Sequence, residues 1–113
     1  MAEPTITQVF GAGATQTATT ISINKSDLAA IGLTPSATNT AESLLAAIVI
    51  FAKGYLTQSK FEANTDQSIT IEPGFDSIIS RDDGAGNLIS YRQTQFNINL
   101  HKLDAGTLDP DDY

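Results

Sequence analysis

The stretch from Asn39 to Leu56, NTAESLLAAIVIFAKGYL, holds nine consecutive apolar residues, Leu44 to Ala52. No other segment of the chain can remove comparable surface from water, so any fold must be built around it. The β-branched run Ile48-Val49-Ile50 is compatible with a buried strand. Length and punctuation predict a helix instead, over about residues 40–56. Asn39 and Glu42 have the spacing of a capping box, in which each side chain satisfies a free backbone N–H. Glu, Leu and Ala fill the early turns and are good helix formers. Lys53 stands where the helix dipole favours a cation, and Gly54 suits a left-handed stop unless the helix continues to Leu56.

At about 100° per residue, Leu44, Leu45, Ile48, Val49, Phe51, Ala52, Tyr55 and Leu56 share one broad face, read as the core face. On the reverse side Ser43, Ala47, Ile50 and Gly54 line up as a smooth stripe, a candidate interface. A helix with so little polar surface is normally covered on two sides, by its own chain or by a partner. The run falls short of the roughly 20 apolar residues needed for a membrane span, so no membrane contact is expected.

The remainder reads mostly as strands and turns. Thr17–Ile23 alternates, with Thr19, Ile21 and Ile23 on one side. Asn24-Lys25-Ser26-Asp27 offers N-caps for one short helix at about 27–31, closed by Gly32 and Pro35. Phe61 anchors the polar return from the main helix. Ser68–Glu72 is a strand with Ile69 and Ile71 inward, and Pro73-Gly74 a turn. Phe75–Arg81 and Leu88–Leu100 make a long hairpin around Asp82-Asp83-Gly84-Ala85-Gly86-Asn87. In its second strand Ile89 and Tyr91 have one parity, and Phe96, Ile98 and Leu100 the other. Either a one-residue bulge between Arg92 and Gln95 reconciles them, or the two ends face different neighbours. The expected class is α+β. An antiparallel sheet with a long C-terminal hairpin, from strands near 17–23, 68–72, 75–81 and 88–100, packs on the central helix.

Three regions are expected: a flexible N-terminal arm over residues 1–16, one domain over 17–103, and an acidic tail over 104–113 with Asp104, Asp109, Asp111 and Asp112. In the arm, Thr5, Ile6, Val9 and Phe10 suit a short strand that adds to another sheet edge, or a frayed terminus. Gly11-Ala12-Gly13-Ala14 reads as a loose joint behind it.

Little in the sequence points to catalysis. There is no cysteine, which removes thiolate nucleophiles, disulfides and sulfur-ligated metals together. The one histidine, His101, has no second histidine near it in sequence and is read as a surface or interface residue. Asp82, Asp83 and Asn87 bring three oxygen donors to one loop. They lack the alternate acids and distal glutamate of an EF-hand and match what a hairpin tip requires. The GAGA segment is similar to a phosphate-binding loop but lacks the third glycine, the lysine and the following helix start. The expectation is therefore no enzyme, no cofactor, no metal and no small-molecule substrate. A net charge of −7, with six Lys and Arg scattered singly, provides no basic patch and argues against direct nucleic-acid contact. MAEPTITQ lacks the charged-then-apolar pattern of a signal peptide, so synthesis in a cytoplasm is expected.

The loose opening GAGATQTATTISINKSDL and the hairpin FDSIISRDDGAGNLISYRQTQFNINL resemble small structural proteins of tailed bacteriophages. The resemblance extends over most of the chain. It implies a virion protein present in many copies, in a capsid, neck, tail or baseplate, held by arms and strand addition to itself and to other virion proteins. It carries over no catalytic residue. The other class left open is a small monomeric binding module or accessory protein that recognises a ligand or a host protein.

Overall fold

A computed structural model describes residues 2–102 and 110–113 of the chain. In chain order it contains α1 (Ile6–Phe10), the short strands β1 (Thr15–Gln16) and β2 (Ile21–Ser22), and α2 (Lys25–Leu28), which runs into a 3-10 turn over Ala29–Ile31. Then come α3 (Ala41–Tyr55), α4 (Gln58–Ala63), β3 (Ile69–Pro73), β4 (Ser77–Asp82), β5 (Leu88–Gln93) and β6 (Phe96–Leu100). The class is α+β, with antiparallel pairing in every strand pair described. Of the acidic tail, Asp104 and Asp109 lie outside the described residues, and Pro110–Asp112 form a 3-10 turn.

The long apolar stretch is helix α3, but its cap lies one residue later than the sequence predicts. Thr40 accepts a hydrogen bond from Ser43 N–H at 3.1 Å. Asn39 instead closes the preceding loop, accepting from Ser36 N–H and donating to Thr34 C=O. Glu42 in the first turn and Lys53 in the last complement the helix dipole. The helix passes through Gly54, and Leu56 stands at its C-cap.

Two apolar clusters hold α3 from opposite ends. Leu28, Leu33 and Ala47 form the first, with Ile23, Ile31, Leu44, Ile48 and Phe51 against them. Ala52, Leu56 and Ile71 form the second, joined by Val9, Tyr55, Ile69 and Phe96. The expected core face is right for most of its residues and wrong for Leu45, which is 63% exposed. Ala47, placed by sequence on the outer stripe, is buried instead. In a run of nine apolar residues no polar side chain marks the solvent side. The small Ala47 lets Leu28 and Leu33 approach closely, and that decides the rotation of the helix.

The N-terminal segment departs from the expected extended strand. Thr5 and Gln8 make a capping box, Gln8 N–H to Thr5 Oγ1 at 3.2 Å and Thr5 N–H to Gln8 Oε1 at 2.9 Å, and this starts α1. Val9 then packs in the second cluster, and Asn64 Nδ2 donates to Ala2 C=O at 2.8 Å. The glycine segment is also not a loose joint. Gly13 N–H donates to Asp27 Oδ2 at 2.7 Å, and a Cβ at Gly13 would lie 2.0 Å from Asn24 Nδ2. The glycines there allow backbone to approach the start of α2. Asn24, one of the expected caps, makes no side-chain capping bond.

The strand expected over 17–23 does not join a larger sheet. Thr17 Oγ1 accepts from Thr19 and Thr20 N–H, and Thr17 N–H donates to Thr20 C=O at 2.9 Å. These hydroxyl bonds turn the backbone where a strand was expected. Only β1 and β2 pair, as a separate small hairpin.

The other four strands form one two-stranded ribbon, β3 with β6 at its base and β4 with β5 beyond. Its base lies between helices. Ile69, Ile71 and Phe96 face α3, while on the other face Phe61 of α4 stacks on His101, with ring centres 4.4 Å apart. Gln58 N–H at the start of α4 donates to the Glu72 carboxylate. Between Pro73↔Phe96 and Ser77↔Gln93, three residues, 74–76, oppose two, Thr94 and Gln95. The bulge therefore exists, but its extra residue is on the first strand, opposite the place predicted. Gly74 tolerates Gln95 against its backbone, where a Cβ would lie 2.9 Å from Gln95 Cγ, so the irregularity falls there. Pro73-Gly74 accordingly does not reverse the chain.

Candidate assembly surface

A strand run from Ile69 to Asp82 at about 3.3 Å per residue extends roughly 45 Å. The longest dimension of the protein is 54 Å, and the radius of gyration is 17.1 Å. A compact chain of this length would have about 13 Å. The excess comes from the outer ribbon, β4 and β5, every residue of which is exposed.

The tip of the ribbon is well determined by its own residues. Gly84 and Gly86 take positive φ angles of 89° and 88°. Asp82 Oδ1 accepts from Gly84 and Gly86 N–H, and Asp83 Oδ1 accepts from Ala85 and Asn87 N–H. Those backbone donors, with the Asn87 amide, hold the Asp83 carboxyl below its ordinary value. The aspartates thus serve the loop's own backbone. Among the described residues no group of three His, Cys, Asp or Glu is arranged to hold a metal ion.

Direct pairs across β4 and β5 place Ile79 opposite Tyr91 and Arg81 opposite Ile89 on one face. Arg81 lies over the Tyr91 ring at 5.1 Å. On the other face stand Ile78 with Arg92, Ser80 with Ser90, and Asp82 with Leu88. Arg92 is 4.0 Å from Asp76, an exposed pair that contributes little to stability. Both faces therefore carry apolar side chains into water. Phe75 in the bulge is 87% exposed and Leu88 77%. The surface continues onto β6 through half-exposed Ile98 and Leu100.

At roughly 200 Å² for a fully exposed side chain of this size, these residues together with Ile78, Ile79, Ile89 and Tyr91 present about 900 Å² of large apolar residues. Because this area is divided between two faces, each face is comparable with the largest apolar patch on a typical monomer, about 300–600 Å². A two-stranded hairpin alone is also only marginally stable in water.

The structure does not gather the residues proposed from sequence into one surface. Of the helix stripe, Ser43, Ile50 and Gly54 are exposed, while Ala47 lies under α2 and its following turn. Of the arm residues, Thr5 caps α1, Ile6, Val9 and Phe10 are half-buried, and Val9 faces α3. In sequence, Phe75, Ile78 and Leu88 read as ordinary hairpin residues. The available signal was an apolar residue on both parities of the same strands, Ile78 beside Ile79 and Leu88 beside Ile89. One-sided burial cannot cover both.

Three buried polar atoms near the ribbon base, Gln67 Oε1, Thr70 Oγ1 and His101 Nε2, make no hydrogen bond among the described residues. Gln67 is otherwise anchored, its amide donating to Thr57 and Ile69 C=O. No helix of the described residues is long and apolar enough to cross a membrane. Comparison of the chain with protein-family models, with curated proteins and with solved structures finds no match.

Proposed function

We propose that this chain is a non-enzymatic structural subunit of a tailed-bacteriophage particle, built in by self-assembly and by contacts with other virion proteins. One observation carries the assembly part: a protruding β-ribbon with large apolar side chains exposed on both faces. Water does not tolerate such a surface for its own sake, and a covered ribbon removes it. The sequence resemblance supplies the phage assignment and the virion as its location. The competing reading, a monomeric binding module, requires the ribbon to stay largely bare between encounters.

Mass spectrometry of purified particles from a lysed host tests the assignment. A structural subunit is recovered in fixed, multiple-copy stoichiometry with the particle. Recovery only in the soluble fraction, with none in washed particles, contradicts it.

A further inference from the structure

The ribbon has two long edges, and they are not equivalent. Antiparallel ladders turn alternate residues' backbone groups inward and outward. Gly74 N–H donates to Gln95 C=O and His101 N–H to Ser68 C=O, so the odd residues of β6 bond to β3. Asp83 N–H donates to Asn87 C=O, which sets the same parity in β5. The even residues from Leu88 to Leu100 therefore point N–H and C=O away from the ribbon.

On the first strand the outward groups at the base are already used. Ile69 C=O accepts from Gln67 Nε2 at 2.9 Å, Ile71 N–H donates to Leu56 C=O at 2.8 Å, and Pro73 has no N–H. Further along come the bulge and the charges of Asp76, Arg81 and Asp82. These are the devices by which sheet edges are closed to other chains. The second strand carries far fewer of them. Leu88–Leu100 contains no proline, no bulge and a single charge, Arg92. Among the described residues no hydrogen bond reaches the outward groups of Phe96, Ile98 and Leu100.

Building on the assembly reading above, we infer that a second copy of this chain occupies that edge. Its own Leu88–Leu100 strand runs antiparallel to the first about a two-fold axis, making a four-stranded sheet across the pair. Charge selects a second copy. Two chains of net charge −7 repel, and this strand is a long stretch with no carboxylate through which they can meet. A cationic partner would instead be drawn to the acidic surfaces elsewhere. The strand is also self-complementary. Gln93, Gln95, Asn97 and Asn99 alternate along one face, and an axis at Thr94 sets Gln93 of one copy opposite Gln95 of the other, and Ser90 opposite Ile98. Neutral amides then meet amides while backbone bonds supply the affinity.

Ser80 and Ser90 provide a matched test, because they face each other across the ribbon, are both exposed, and both direct N–H outward on opposite edges. Proline at such a position removes an edge donor without breaking the internal ladder. Sedimentation of the full chain is expected to show an oligomer that Ser90→Pro weakens on the order of 10-fold or more, while Ser80→Pro leaves it unchanged. Amide exchange on the wild-type protein reads the same edge without a mutation. In the oligomer, Ile98 and Leu100 N–H should exchange on the order of 100-fold more slowly than in the dilute monomer. A wild-type chain that stays at monomer mass overturns the assembly reading, and the inference with it. An oligomer that Ser90→Pro leaves intact, or whose Ile98 and Leu100 amides exchange fast, overturns the edge assignment alone. If both prolines dissociate the oligomer, the exchange rates decide. Slow exchange of these amides in a monomer would mean that the chain's own C-terminal segment covers the edge, which also overturns the inference.

Discussion

Substituting Gly13 by alanine tests whether the N-terminal segment belongs to the fold. A loose joint predicts a small gain, about 0.4–1 kcal/mol, because alanine restricts the unfolded chain. The structure predicts a loss. The new Cβ would lie 2.0 Å from Asn24 Nδ2, 2.9 Å from Asn24 Cγ and 3.1 Å from Asp27 Oδ2, so the start of α2 must move. That movement disturbs the 2.7 Å bond from Gly13 N–H to the Asp27 carboxylate. A hydrogen bond to a charged group contributes about 1.5–3 kcal/mol, and at about 4–8 °C per kcal/mol the melting temperature should fall by about 6–24 °C. Gly54→Ala is the control. Nothing lies within 4 Å of its added Cβ, and it stands inside α3. It should stabilise by about 0.8–1 kcal/mol. Thermal and urea melts of both variants measure the pair. A Gly13→Ala protein that melts at or above the parent would refute the docking of residues 5–14 against α2 and α3.

Other expectations follow from particular side chains. Leu28→Ala, at a fully buried site between Leu33 and Ala47, should cost about 2–5 kcal/mol by urea denaturation. Ala47→Glu should do at least as much harm, because it buries an unpaired carboxylate in the same cluster; a silent result would place that face in water. The double variant Phe75→Ser, Leu88→Ser should leave the melting temperature nearly unchanged while reducing binding of an apolar dye, since both side chains are exposed. The Asp83 carboxyl is held low by its hydrogen bonds, so its contribution to tip order is present above about pH 3.8 and is lost as pH falls through its lower folded value. The Ala85 and Asn87 amide resonances should report that transition, and Asp83→Asn should abolish it. A midpoint above 3.8 contradicts the geometry.

Much of the architecture can be read in the residues themselves, because length and punctuation are local. The run around Leu44–Ala52 is longer than the commonest strands of about 5–6 residues, and Asp82–Asn87 contains the residues a hairpin tip needs. The failures share a different cause. Asn39 and Thr40 are both competent caps, and only the loop bonds to Ser36 and Thr34 assign the role to Thr40. Leu45 and Ala47 exchange places because an all-apolar run leaves helix rotation to its neighbours. Ile6–Phe10 has β-branched residues and little length, so its helicity rests on one capping box and on Val9 meeting α3. Gly13 reads as freedom in sequence and acts as close approach in the fold. The ribbon surface was hardest to see, since Ile78 or Leu88 has the same letter whether buried or bare.

The mass of the wild-type chain in solution, followed by sedimentation equilibrium from about 1 to 100 μM, tests the central claim most directly. A single chain weighs 12.0 kDa. A subunit whose ribbon is covered by another copy should show a mass that rises with concentration toward a multiple of that value. A constant 12.0 kDa over the whole range would contradict self-assembly and leave the monomeric binding module as the better account.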